Sequence, residues 1–92
     1  MPQLFRVGHY IVYFWINESN PLEPVHVYIA EVRPAPNGTK IWITRRGNCL
    51  KANNNSHISE RDLRILMEIV EARSGEIAAK WLETFGQIEY YC

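Results

Sequence analysis

The hydrophobic pattern of this chain changes its period once, and that change divides the chain into two structural halves. Before the polar segment Asn53–His57, apolar residues alternate with other residues, as in Val25, Val27 and Ile29. Alternation with a period of two is typical of β-strands that bury one face. After the segment, apolar residues recur every three or four positions, which is the period of an amphipathic helix. A β half followed by an α half predicts an α+β domain.

The first half contains four to five predicted strands. They cover residues 4–7, 10–16, 25–32 and 39–44, with a short fifth strand near Cys49-Leu50. Between the first two, Gly8-His9 is a two-residue hairpin loop in which glycine supplies the positive φ of a type II′ turn. Turn-forming residues at 17–21 and at Asn37-Gly38 separate the later strands. The strand at 10–16 is apolar on both faces, which predicts a central place in the sheet with cover on both sides.

A capping motif marks the start of the helical half. Ser59 can accept a hydrogen bond from the backbone N–H of Asp62, and the Asp62 carboxylate can reach back to the cap. The apolar stripe that follows consists of Leu63, Leu66, Met67 and Val70, widened by Ile65 and Ile69. Ser74-Gly75 interrupts this stripe, and the pattern resumes at Ile77, Trp81 and Phe85 before Gly86, a suitable left-handed end. We predict two helices, at about 60–73 and 75–85, with one bent helix as the alternative.

Length and composition favour a single domain over residues 1–92. Ninety-two residues leave no room for a second core, and 47% apolar residues is ordinary for a globular protein. The strands occupy about 3–52, the helices about 60–86, and 87–92 form a short tail. The predicted fold is therefore a small antiparallel sheet of four to five strands followed by two C-terminal helices packed on one face.

Several classes of protein are disfavoured by the same residues. The longest apolar run, Tyr10–Ile16, is too short to cross a membrane, and the start of the chain lacks the features of a signal peptide. Cys49 and Cys92 fit no metal or redox spacing, so we expect a reduced, cytoplasmic protein without a cofactor or metal. No catalytic motif surrounds the three histidines, and an enzyme is not favoured.

A polar and aromatic face is the best lead toward function. If the aliphatic residues of the strands at 25–32 and 39–44 face the helices, other side chains must point away from them. Two helices cover only one face of such a sheet, so we expect large rings on the other face to be exposed. Either Tyr13 and Trp15 or the alternate set of the central strand, Tyr10, Val12, Phe14 and Ile16, must join them. With the first set, the predicted binding face consists of His26, Tyr28, Lys40, Trp42, Tyr13 and Trp15.

The charges suggest a second, weaker lead. Net charge is zero, yet residues 32–59 carry five basic side chains and no acidic one. Arg45, Arg46 and Lys51 are therefore candidates for contact with an anionic partner. Ordinary solvated charge is the plainer interpretation of the same residues.

Three local motifs resemble a family of small bacterial proteins. They are Leu4-Phe5-Arg6-x-Gly8-x-Tyr10, Glu23-Pro24-x-His26-Val27 and Lys40-x-Trp42-Ile43, followed by an amphipathic helix and a late tryptophan. Together they resemble the domain-of-unknown-function 4160 family over about residues 2–85. The resemblance implies a small sheet followed by two helices, no established activity, and genes like the companion pairs near toxin–antitoxin loci.

One position departs from the pattern of that family. Its recurrent strand reads Pro-Pro-His-Val-His-Val, whereas this chain has Pro24-Val25-His26-Val27-Tyr28-Ile29. Tyr28 stands where the second histidine would be, and it is a poor replacement for imidazole as a ligand. We therefore expect a structural His26 rather than a metal site.

Two functional hypotheses follow from these features. The first is a non-catalytic interaction module that forms a homodimer or binds a small protein partner, since aromatic patches low in charge are typical of interface cores. The second is single-stranded nucleic-acid binding, with bases stacked on the aromatic face and phosphates held by the Arg45-Arg46 loop.

Overall fold

The sheet is a simple meander. The computed structural model describes residues 3–16 and 22–92, and its five strands are β1 (Gln3–Val7), β2 (Tyr10–Tyr13), β3 (His26–Glu31), β4 (Thr39–Ile43) and β5 (Cys49–Lys51). Each strand pairs antiparallel with the next, in the order β1-β2-β3-β4-β5. Helices α1 (Glu60–Ala72) and α2 (Ser74–Phe85) follow. The predicted α+β architecture is confirmed, while the turn predicted at 17–21 lies outside the described residues.

The first hairpin forms as its glycine predicts, but the second strand is shorter than expected. Gly8 has φ +58° and joins β1 to β2. β2 ends at Tyr13, three residues before the predicted end at Ile16. Phe14 remains fully buried beyond the strand, whereas Ile16 is 50% exposed. The apolar run therefore continues the core after the ladder of hydrogen bonds has stopped.

The main core lies between one face of the sheet and the two helices. From the helices it receives Leu63, Leu66, Val70, Ile77 and Trp81, and from the sheet the inward residues Val12, Val27, Ile29, Ile41 and Ile43. Trp81 is completely buried against Phe14 and Phe85, at ring-centroid distances of 5.0 and 4.5 Å. The expected widening of the α1 stripe at Ile65 is wrong, because that side chain is 45% exposed.

The helix ends follow local chemistry. Ser59 accepts from the Asp62 N–H at 3.2 Å, as predicted, but the Asp62 carboxylate accepts from the hydroxyl of Tyr10 at 2.8 Å. Two helices form, and the break falls at Arg73 (φ −108°, ψ 15°), one residue before the predicted Ser74-Gly75. Gly86 ends α2 with φ +76°. Ser74 and Gly75 thus open α2 rather than separate the helices.

The asparagine-rich segment between β5 and α1 is tied to the sheet by side chains. Thr39, fully buried at the start of β4, donates from its hydroxyl to Asn54 Oδ1 at 2.8 Å. Asn54 also contacts both backbone groups of Ile58, accepting from its N–H at 3.0 Å and donating to its carbonyl at 2.7 Å. Ser56 donates to the Ile29 carbonyl at 3.1 Å. These bonds fix where the chain leaves the sheet and enters α1.

The outer strand β5 is held from the helical side. The Glu71 carboxylate of α1 accepts from the backbone N–H of Cys49 at 3.2 Å, and the Cys49 thiol donates to the Met67 carbonyl at 3.4 Å. Burial, with the Glu71 carboxylate beside it, raises the pKa of the Cys49 thiol to about 12. Cys49 is therefore a structural thiol, and no disulfide joins it to the exposed Cys92.

Candidate functional site

Side-chain alternation places most of the predicted binding residues on the face away from the main core. Val27 and Ile41 point to the helices, so Tyr28 and Lys40 beside them point to the other side. His26 pairs with Trp42 across β3 and β4, and Tyr13 pairs with Tyr28 across β2 and β3. The sequence-predicted residues are thus brought together.

Five of these residues form a continuous series of ring contacts, which we call the aromatic band. It runs from Trp15 through Tyr13, Tyr28 and His26 to Trp42. Successive ring centroids are 5.4, 5.7, 5.2 and 5.7 Å apart. Only the Tyr13–Tyr28 pair is stacked, and the other contacts are edge-to-face, within the range favoured by aromatic quadrupoles. The band crosses three strands, so its rings form much of this face of the sheet.

The chain covers part of the band itself, so the expected exposure is wrong for Tyr13 and His26, both fully buried. The connection between β3 and β4 folds back over β2. There the Tyr13 hydroxyl donates to the Ala35 carbonyl at 2.6 Å and accepts from the Ala35 N–H at 3.0 Å. The members of the band that stay partly exposed are Trp15, Tyr28 and Trp42, each half-buried.

The tail covers the other end of the band. Tyr91 stacks on Trp42 with a centroid distance of 4.9 Å and an interplanar angle of 5°. Backbone bonds anchor the tail on both sides of this stack, since Val25 N–H donates to Glu89 O at 2.8 Å and Arg45 N–H to Cys92 O at 3.0 Å. The tail, residues 87–92, forms no strand, although two of its carbonyl groups accept hydrogen bonds from Val25 and Arg45 beside the sheet.

Lys40 is the cation within this face, and it is already paired. Its ammonium lies 2.6 Å from the Glu23 carboxylate and 4.3 Å from the centroid of the Trp42 ring. The hydrogen bond from Lys40 holds the pKa of the Glu23 carboxyl below its ordinary value. Since the Lys40 side chain is only 15% exposed, the aromatic band offers little free positive charge.

His26 is built into the fold. It is the first residue of β3, and its ring also contacts that of Trp81 in α2, with centroids 5.1 Å apart. Its Nδ1 lies 2.9 Å from the Pro24 carbonyl oxygen. Within residues 3–16 and 22–92, no group of three or more His, Cys, Asp or Glu side chains could hold a metal ion. These contacts fit a structural histidine.

The three basic candidates separate into two places. Arg45 and Arg46 lie in the turn after β4 and line an open cavity of about 400 Å³ beside Leu50. Lys51 lines a different groove, between β5 and α1, with Glu60 and Glu71 among its neighbours. Lys51 therefore does not join the arginines, because adjacent residues of a strand point to opposite faces.

Sequence reasoning missed the residues that cover the band and the carboxylate that pairs with Lys40 beside it. Ala35, Glu23 and Tyr91 lie in connections or in the tail, where no periodicity predicts a contact. The two prolines that flank Ala35 were the available signal, since Pro34 and Pro36 restrict how that loop can fold.

A family model matches residues 10–82, and its description is domain of unknown function (DUF4160). The chain belongs to this family. The DUF4160 match begins at β2, contains every candidate of the aromatic band and the turn with Arg45, and stops before Tyr91. No curated protein and no solved structure matches the chain. In the described part of this DUF4160 protein, neither helix is long and apolar enough to cross a membrane.

Proposed function

We propose that this protein is a non-catalytic interaction module that self-associates through the open part of the aromatic band. The observation that carries the proposal is the group of half-buried rings, Trp15, Tyr28 and Trp42, on the face that the helices leave open. Ile16, which follows Trp15 in the chain, is a second apolar side chain beyond β2 and is 50% exposed. Aromatic residues with little charge between them are typical of the centre of a protein interface.

Charge favours a protein partner over nucleic acid at this surface. A phosphate backbone needs free cations, whereas Lys40 within the face is paired with Glu23 at 2.6 Å. Desolvating a paired cation costs less than desolvating an isolated one, so the same pair is compatible with an apolar contact. Stacking of bases across the whole band is correspondingly less supported.

A second copy of the chain is the partner that the charges fit best. Net charge is zero, so two copies carry no overall repulsion. Closed two-fold dimers are the commonest assemblies, and they place the same patch of both copies in contact. A small protein encoded beside it, as in toxin–antitoxin-like pairs, would use the same rings and is the competing partner.

The experiment is the native mass of the full chain by light scattering, at low and at high salt. We expect a mass near twice 10.8 kDa at both salt concentrations, because burial of apolar rings is not screened by ions. Ile16→Glu and Trp15→Glu should each shift the mass toward the monomer. Leu82→Glu is the matched control, since Leu82 is 47% exposed on α2, on the helical side.

The outcomes separate the alternatives. A wild-type monomer at both salts would overturn self-association and direct attention to a small protein partner. A dimer that Leu82→Glu disrupts and Ile16→Glu leaves intact would place the contact on the helices and contradict the proposed surface. Circular dichroism of each variant shows whether the fold is retained.

A further inference from the structure

The cavity beside the turn after β4 is lined by basic and neutral side chains. It is lined by Thr44, Arg45, Arg46, Asn48, Leu50 and Cys92, and its volume is about 400 Å³. Two of these side chains are cationic and none is a carboxylate, in a chain whose net charge is zero. The size is within the usual range for small-molecule sites.

The two guanidinium groups are available to a ligand. Among the described residues, neither Arg45 nor Arg46 forms an ion pair, whereas Lys40, Arg73 and Lys80 each do. Arg45 lies over the Tyr90 ring, 4.9 Å from its centroid, and this contact orients the group without occupying its N–H donors. Guanidiniums of two consecutive residues, neither of them ion-paired within the described part of the chain, are suited to the planar, multidentate recognition of phosphate.

An exposed aromatic ring, that of Tyr91, is linked to this cavity through its neighbours. Tyr91 precedes Cys92, and Cys92 lines the cavity. The Tyr91 ring stacks on Trp42. Leu50, which pairs with Trp42 across β4 and β5, forms the apolar wall of the cavity. Although one face of its ring lies on Trp42, Tyr91 is 61% exposed. The outer face of the ring is therefore open to a planar group.

We propose that this cavity binds a nucleoside phosphate, with the base on Tyr91 and the phosphate on Arg45 and Arg46. The ligand is either a free nucleotide or one nucleotide of a single-stranded RNA, which present the same base and phosphate chemistry. The site goes beyond the proposed function: its arginines lie past the end of β4, while its Tyr91 stacks on Trp42, one of the rings assigned to self-association.

The test is a titration of the full chain with adenosine 5′-monophosphate, inorganic phosphate and a short oligouridylate, followed by amide chemical shifts. We expect the mononucleotide to bind more tightly than phosphate and to shift the resonances of residues 44–50 and of the tail. The double change Arg45→Ala with Arg46→Ala should weaken nucleotide binding roughly 10- to 100-fold, through loss of charge-assisted hydrogen bonds.

Two further variants separate charge from stacking. Tyr91→Ala should weaken binding of the mononucleotide roughly 5- to 100-fold and leave phosphate binding unchanged, while Tyr91→Phe should retain both. Arg61→Ala with Arg64→Ala is the matched control, since both side chains are exposed on α1 and neither lines this cavity.

The results decide both the site and the source of the ligand. An oligouridylate that binds at least about tenfold more tightly than the mononucleotide, with steeper salt dependence, identifies single-stranded RNA. Equal affinities identify a free nucleotide. Absence of nucleotide binding at millimolar concentration, or binding that survives loss of both turn arginines, overturns the proposal. Because native mass is measured separately, this failure would leave self-association unaffected.

Discussion

Replacement of Trp81 tests the packing between helix and sheet. The side chain is completely buried and its ring meets Phe14, His26 and Phe85 at centroid distances of 5.0, 5.1 and 4.5 Å. Truncation of such a residue leaves a cavity among partners that cannot all move inward. We expect Trp81→Ala to lower the free energy of unfolding by about 3–5 kcal/mol. A domain of this size has about 5–15 kcal/mol in total, so much of its stability would be lost.

A second substitution, Trp81→Phe, varies the size of the cavity, since it and Trp81→Ala both remove the indole N–H. That group is buried and, among the described residues, has no hydrogen-bond acceptor, which costs about 1–3 kcal/mol. Both variants remove this cost, and Trp81→Phe leaves the smaller cavity, so we expect its loss of stability to be at least about 2 kcal/mol smaller than that of Trp81→Ala.

Urea unfolding followed by far-ultraviolet circular dichroism measures both variants. The midpoint should fall by several molar units for Trp81→Ala, given a slope of about 1 kcal/mol per molar. A Trp81→Ala protein within about 1 kcal/mol of wild type would refute the assignment of this ring to the core. Equal losses for the two variants would refute the reasoning about the size of the cavity.

Two further predictions concern other contacts of the sheet. Burial and the hydrogen bond to Asp62 raise the pKa of Tyr10 from 10.0 to about 12. The folded state therefore favours the neutral phenol. Its contribution to the unfolding free energy should be complete below pH 10 and lost as the pH rises from 10 to 12. In Tyr10→Phe, the unfolding free energy should fall less over this pH range than in the wild type. Gly38→Ala should lower the unfolding free energy by about 1–3 kcal/mol, because the added Cβ would meet the Tyr13 hydroxyl. Gly75→Ala is the control and should not lower it, because there is open space around Gly75. Equal thermal unfolding midpoints for the two alanine variants would contradict this prediction.

Local features of the fold could be predicted because each depends on a few neighbouring residues. Gly8 and Gly86 adopt the left-handed conformations that only glycine takes without strain. Ser59 caps α1 because its hydroxyl reaches the N–H of Asp62 three residues on. The change of hydrophobic period at the asparagine-rich segment also predicted where the sheet ends and the helices begin. Burial of one face imposes a period of two on a strand and of 3.6 on a helix, so the boundary can be found from neighbouring residues.

The state of the binding face could not be predicted, because it depends on contacts distant in sequence. Tyr13 is covered by Ala35, 22 residues away, and Trp42 by Tyr91 in the tail. Neither contact leaves a periodic signal, since loops and tails follow no fixed repeat. The pattern identified which side chains share the face, and the connections determined which of them remain open.

Glu71 has a consequence for how copies of this chain can meet. An outer strand normally presents unpaired N–H and C=O groups that another strand can extend, which is a route to aggregation. At β5, the carboxylate of Glu71 occupies the outward N–H of Cys49, and a carboxylate brings negative charge to that position. A strand approaching along this edge would have to displace it and desolvate the charge. Extension of the sheet along β5 is therefore opposed at this position.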